Sequence, residues 1–312
     1  MPFQKRSLVT LACILASLWL ASLLLTAASS SADAGLRSFA LTDLYFEQAT
    51  LAGACTQGKP HPALGVEPEA AGRHPLFVYL TGTRMHHDGP EARKLIEEMA
   101  RRGFVSVSLD YENRAYAYCN SMRAKAQCLF GKSGSASALS KLCQRPNVDC
   151  ERGIVVAGFS QGANLSALAR NYEPRVAGAL LLGHGHRAAR FMDSTACQAA
   201  AATALDLSQT RSITGEADGF FGDTREGVRR QLEVVSGRTC SGALDCLQPD
   251  GSGWYIVQNS QLKDGGADHC FFFDAADGYC AKFKGLDANW VAGSEPWSLA
   301  PSLDWLAAKV RR

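Results

Sequence analysis

Ile154-Val155-Val156-Ala157-Gly158-Phe159-Ser160-Gln161-Gly162-Ala163 passes from an apolar run through a G-x-S-x-G pattern into a helical stretch that continues to Arg170. Four β-prone apolar residues closed by glycine read as a buried strand. The helix after it leaves a single tight turn between the two elements, with Ser160 at its apex. A turn that sharp puts the serine in a strained backbone conformation and lifts its hydroxyl above the sheet edge. The glycines on either side let neighbouring backbones approach, and the N–H of Gln161 points toward the helix start, where it can hold an oxyanion.

Outward from this turn the same alternation repeats. Leu76-Phe77-Val78-Tyr79-Leu80 is a short apolar run ended by Thr81-Gly82-Thr83. Gly89-Pro90 opens a helix carrying Ala92, Leu95, Ile96 and Met99 at helical spacing, with Gly103 as its stop. Further strands are expected over 104–109, 176–182, 211–214 and 254–257. Helices are expected over part of 134–143, near 196–205, around Val228, Leu232 and Val235, and at the carboxyl end from Leu303 to Val310. Residues 35–72 are weakly patterned and are expected to supply the first sheet-edge strands, around Leu44-Tyr45-Phe46; residues 111–150 look irregular. Strands apolar on both faces, alternating with helices, predict one α/β domain over 35–312, built on a mostly parallel central sheet with helices on both faces.

A serine hydroxyl is a poor nucleophile until a base removes its proton. Two later loops offer the missing groups. Thr214-Gly215-Glu216-Ala217-Asp218-Gly219 follows one expected strand, and Gly265-Gly266-Ala267-Asp268-His269 follows the last. Loops at strand carboxyl ends meet on one rim of an open α/β sheet. The chain order is serine, acid, histidine. In this reading His269 takes the proton of Ser160, and Asp218 orients the imidazole. Glu216 is an alternative acid, disfavoured because it lies two positions nearer the strand. Asp268 adjoins His269, and adjacent side chains seldom face each other. Cys270 reads as a disulfide half rather than a nucleophile. His184 and His186, and the run His86-His87-Asp88, raise a metal site, but adjacent histidines do not readily share one ion, so no metal is expected and these histidines are placed at the pocket mouth.

Lys5 and Arg6 precede an apolar stretch from Leu8 to about Ala28, then a Ser-rich patch and Ala32-Asp33-Ala34. This describes a signal peptide over 1–34, cut after Ala34, with an uncleaved membrane anchor as the alternative. Of the eleven cysteines, removal of Cys13 leaves ten, none in C-x-x-C spacing. Ten such cysteines read as disulfides stapling loops in a secreted or periplasmic protein. The 312 residues, 46% hydrophobic and 20% charged with net charge +2, carry no basic stripe. That excludes a nucleic-acid partner, and a membrane enters only if the amino-terminal segment stays attached.

Gly158-Phe159-Ser160-Gln161-Gly162-Ala163, with Asp149-Cys150-Glu151-Arg152-Gly153-Ile154 before it, resembles the elbow and lead-in of the acyl-protein thioesterase and carboxylesterase group, and of dienelactone-hydrolase-like and cutinase-like enzymes. The resemblance covers about residues 75–270, as motifs in order. It implies an α/β-hydrolase fold, acyl-enzyme chemistry and no cofactor. By position, Leu80-Thr81-Gly82-Thr83 matches a loop that is often Leu-His-Gly-x, which makes the Thr83 N–H the second oxyanion donor; Thr81 stands where the family usually has histidine. The expected activity is cleavage of a small-molecule or polymeric carboxylic ester through Ser160, with lipase, thioesterase and peptidase chemistry open to the same residues. A non-catalytic exported binding protein on a hydrolase scaffold is the alternative from another class.

Overall fold

The first two strands, β1 (Leu36–Glu47) and β2 (Lys59–Pro68), form a long antiparallel ribbon, and β2 then pairs antiparallel with β4 (Val105–Leu109). The remaining strands are β3 (Leu76–Leu80), β5 (Ile154–Phe159), β6 (Val176–Leu182), β7 (Thr210–Gly215) and β8 (Gly253–Val257). They run parallel to β4 and to one another, and the sheet order is β1-β2-β4-β3-β5-β6-β7-β8. The computed structural model describes residues 35–47, 55, 58–132, 135–188, 192–273, 280 and 285–310. The amino-terminal segment 1–34, including Cys13, lies outside the described residues. Among the described residues no helix is long and apolar enough to cross a membrane.

The three central strands are buried along their whole length because both of their faces are covered. Side chains alternate between the faces of a strand. Leu76, Val78 and Leu80 therefore join one core with Met122, Leu129, Ala163 and Leu165, from α2 (Cys119–Phe130) and α3 (Gln161–Ala167). Phe77 and Tyr79 join the opposite core with Ile96 and Met99 of α1 (Pro90–Arg101) and Leu303 and Leu306 of α5 (Leu299–Ala307). Val228, Leu232 and Val235 of α4 (Arg225–Ser236) pack with Trp254 and Ile256 of β8. The α/β sheet predicted from alternation is thus the one observed.

Differences from the expected elements are local. Segment 111–150 is not irregular throughout: it holds α2 as well as the short helix Ala138–Leu142. The Ala-rich stretch 196–205 does not make one helix. It gives a turn of helix at Thr195–Gln198 and a 3-10 turn at Ala200–Ala202, whose residues bury nothing. Alanine propensity without a buried face does not sustain a helix. The amino-terminal strands extend well beyond Leu44-Tyr45-Phe46.

Five disulfides cross-link the chain. Cys143–Cys150, Cys240–Cys246 and Cys270–Cys280 close short loops, whereas Cys55–Cys128 and Cys119–Cys197 span 73 and 78 residues. Both long bridges anchor α2, one toward the strand ribbon and one toward the segment after β6. Loop-closure entropy grows with the length spanned, so replacing Cys119 and Cys197 together by alanine should lower unfolding free energy by about 4 kcal/mol. The same change at Cys143 and Cys150 should cost about 2 kcal/mol, a contrast that urea unfolding of the two variants measures.

The two histidines after β6 are packed into the fold rather than set at a pocket mouth. His184 Nδ1 lies 3.3 Å from Ser212 Oγ and its Nε2 3.2 Å from Gln198 Oε1, while His186 Nδ1 lies 2.6 Å from Thr195 Oγ1. Burial pushes the His184 pKa down to about 4, with the Gln198 bond opposing and His186 adding to the fall. An unfolded histidine titrates near 6.5. Between those values the unfolded chain takes a proton that the folded chain refuses. The stability is therefore full above about pH 6.5 and is lost as pH falls toward about 4. Across that window the group should remove on the order of 3 kcal/mol, and His184→Gln should flatten this part of a stability-against-pH curve.

Candidate active site

Ser160 occupies the turn between β5 and α3 with φ 53° and ψ −117°, a left-handed conformation that L side chains seldom adopt. The turn is that tight because the helix start lies against β3. A Cβ on Gly162 would sit 2.2 Å from the Leu80 carbonyl oxygen and 2.5 Å from that of Thr81. A Cβ on Gly158 would sit 2.2 Å from the Gly162 carbonyl oxygen. Both contacts are with backbone, which cannot step aside, so only glycine serves at either position. The Ser160 N–H donates to Leu182 O (2.9 Å), and its own carbonyl accepts from Asn164 N–H (3.1 Å), which ties the turn to β6 and to α3.

The loops after β7 and β8 are joined to each other. Ala217 N–H donates to Ala267 O at 2.9 Å, and a Cβ on Gly215 would meet that oxygen at 2.1 Å. This brings Asp218 and His269 together: Asp218 Oδ2 and His269 Nδ1 are 2.7 Å apart, with Asp218 wholly buried and His269 3% exposed. The other carboxylate oxygen, Oδ1, accepts the N–H groups of Phe220 and Phe221, each at 2.9 Å. A buried carboxylate is tolerable when both its oxygens are satisfied in this way. Phe220 stacks on the imidazole at 5.1 Å and Phe159 lies tilted against it at 4.8 Å. Gly183, at φ 56°, leaves room for the ring: a Cβ there would lie 2.9 Å from His269 Cε1.

Ser160, His269 and Thr83 line one narrow pocket, walled by Met85, Phe159, Phe220 and Cys280. The rival acids are engaged elsewhere. Glu216 Oε1 accepts Asn259 N–H (2.7 Å) and its Oε2 pairs with Arg225. Asp268 Oδ1 accepts the Cys270 N–H (2.7 Å), and burial raises its carboxyl pKa. Cys270 is bonded to Cys280. His87 Nδ1 lies 3.8 Å from Asp110 Oδ1, and burial lowers its pKa. Among the described residues no group of three metal-ligating side chains gathers in one place.

The loop holding Thr83 is pinned by Tyr111 and Asn113, which no motif marks, and by the side chain of Gln161. Tyr111 Oη donates to Thr81 O (2.7 Å), and Asn113 Nδ2 donates to Gly82 O (2.9 Å) and Met85 O (2.7 Å). Gln161 Nε2 donates to Thr83 Oγ1 (3.0 Å) and to Ala115 O (2.9 Å). The only signal for Tyr111 and Asn113 was their position directly after the strand ending at Leu109, a carboxyl-end loop like the others at this rim.

No protein-family model matches the sequence, and no curated protein does. Solved structures do match in fold. A bacterial heroin esterase superposes with a TM-score of 0.51 at 14% identity, covering 96% of this chain and 91% of that one. A candidate dienelactone hydrolase from Klebsiella pneumoniae gives 0.49 at 14% identity, over 88% of this chain and 99% of that one. A 2,6-dihydroxy-pseudo-oxynicotine hydrolase gives 0.49 at 16% identity, over 89% and 68%. The heroin esterase superposition spans nearly the full chain, and together with the eight-stranded, mostly parallel sheet it shows that this chain has the α/β-hydrolase fold.

Proposed function

We propose that the protein is a serine hydrolase that cleaves a carboxylic ester through an acyl-enzyme on Ser160. The observation that carries this reading is the buried 2.7 Å Asp218–His269 contact facing the same pocket as a serine held at positive φ. Stored backbone strain and a satisfied buried carboxylate both cost stability, and such features gather where chemistry requires them.

The Asp218 bond at Nδ1 selects the imidazole tautomer whose Nε2 accepts the Ser160 proton. The Ser160 oxygen adds to the ester carbonyl carbon, and the carbonyl π electrons move onto oxygen. That oxyanion is held by the backbone N–H groups of Gln161 and Thr83. Collapse re-forms the carbonyl and breaks the bond to the alcohol, which leaves with the proton from His269. Water then repeats the sequence against the acyl-enzyme, giving up one proton to His269 and releasing the acid and the Ser160 hydroxyl. The apolar walls Met85, Phe159 and Phe220 stand where a short acyl group would lie, which favours small or moderate soluble esters.

The same reading extends to location. Ten paired cysteines suit an oxidising compartment, so the chain acts after export, with 1–34 as its removed signal peptide. A fluorophosphonate probe should label the full folded protein on Ser160, and Ser160→Ala should abolish labelling and lower ester turnover by about 10³-fold or more. Asp218→Asn should cost kcat about 10⁴-fold while leaving the fold intact. Unchanged turnover of a short-chain nitrophenyl ester in Ser160→Ala would rule the mechanism out.

A further inference from the structure

Behind the pocket, a lysine is buried with no part in the steps above. Lys125 lies in α2 and is 4% exposed. Its ammonium donates to the Glu112 carbonyl and, at 3.3 Å, to Gln161 Oε1. Around it stand the buried carboxylate of Glu47, whose Oε2 accepts the Glu112 N–H at 3.1 Å, the side chain of Glu112, and the face of the Tyr111 ring at 5.9 Å. Burying an ammonium costs several kcal/mol unless its partners are well placed. A leucine would fill this helix face without that cost.

We infer that Lys125 is a positioning residue for the oxyanion-binding groups, acting through the side chain of Gln161; this rests on the esterase reading above. An ammonium has three donors and no acceptor, so the Gln161 amide must turn its oxygen toward Lys125. Its NH₂ group is thereby sent the other way, to Thr83 Oγ1 and Ala115 O. Gln161 supplies one proposed oxyanion N–H and Thr83 the other. The Gln161 side chain is thus a strut between the two donors, and Lys125 clamps its far end.

With the clamp gone, the amide can rotate and the bond to Thr83 is lost. The donors then no longer sit where charge develops in the transition state, while ground-state binding of the ester changes little. The effect should fall on kcat and spare KM. A purely structural lysine would instead lower the fraction of folded protein and leave turnover per active site unchanged.

The test uses the full disulfide-bonded chain. Active sites are counted by stoichiometric fluorophosphonate labelling, and kcat and KM are measured on a short-chain nitrophenyl ester. Lys125→Met should lower kcat per labelled site about tenfold with KM within about twofold. Combined with Thr83→Val, which cuts the strut at its other end, the loss should not multiply: the double variant should turn over as slowly as the slower single one. Unchanged kcat per labelled site, or losses that multiply, would overturn the inference. If Lys125→Met does not fold, Glu47→Gln with Lys125→Met removes both buried charges, and the same tenfold loss or its absence decides. A wild-type chain that takes no label sinks the esterase reading and this inference with it; a labelled wild type with an indifferent Lys125→Met sinks only the latter.

Discussion

The start of α3 lies so close to the end of β3 that the backbone of Gly162 rests on the carbonyls of Leu80 and Thr81, and everything at the rim follows from that approach. The chain must leave β5 and enter the helix within one residue. That residue takes a positive φ, and strain of this kind costs about 1–3 kcal/mol. The cost is borne by the most buried part of the molecule. β5 lies between β3 and β6, and each of its side chains is enclosed. A strained turn can persist only where its two flanking elements are held this firmly, so the hydrophobic sheet centre and the Ser160 hydroxyl at its edge are one construction.

The same approach sets up the electrostatics. With the helix start against β3, the loop ending at Thr83 lines the same pocket as Ser160. Across the pocket, Asp218 is anchored by two backbone N–H groups and His269 is enclosed by Phe159, Phe220 and Gly183. Low polarity around the ring strengthens the Asp218 bond, and packing leaves the imidazole little freedom to turn. For the reaction proposed above, groups already in place would need no rearrangement as charge develops.

Much of this was legible in the sequence, for physical reasons. Strands covered on both faces appear as unbroken apolar runs, so Leu76–Leu80 and Val176–Leu182 are bounded correctly to the residue. Ser160, Asp218 and His269 each lie in a loop after an expected strand, and parallel strands deliver their carboxyl ends to one rim. The helix α2 was hidden because its buried side carries Lys125, and a charge facing the core erases the apolar stripe that marks a helix. The bridges Cys55–Cys128 and Cys119–Cys197 join residues brought together only by the finished fold, and spacing holds no trace of them. The pinning of the Thr83 loop by Tyr111, Asn113 and Gln161 depends on side-chain direction, which a sequence pattern does not contain.

The most direct measurement is a crystal structure of the protein after reaction with a short-chain fluorophosphonate. Phosphorus should be bonded to Ser160 Oγ, with its non-bridging oxygen within about 2.7–3.1 Å of both the Gln161 and the Thr83 nitrogens. An adduct on another side chain, or a phosphonyl oxygen turned away from both nitrogens toward solvent, would contradict the proposed mechanism.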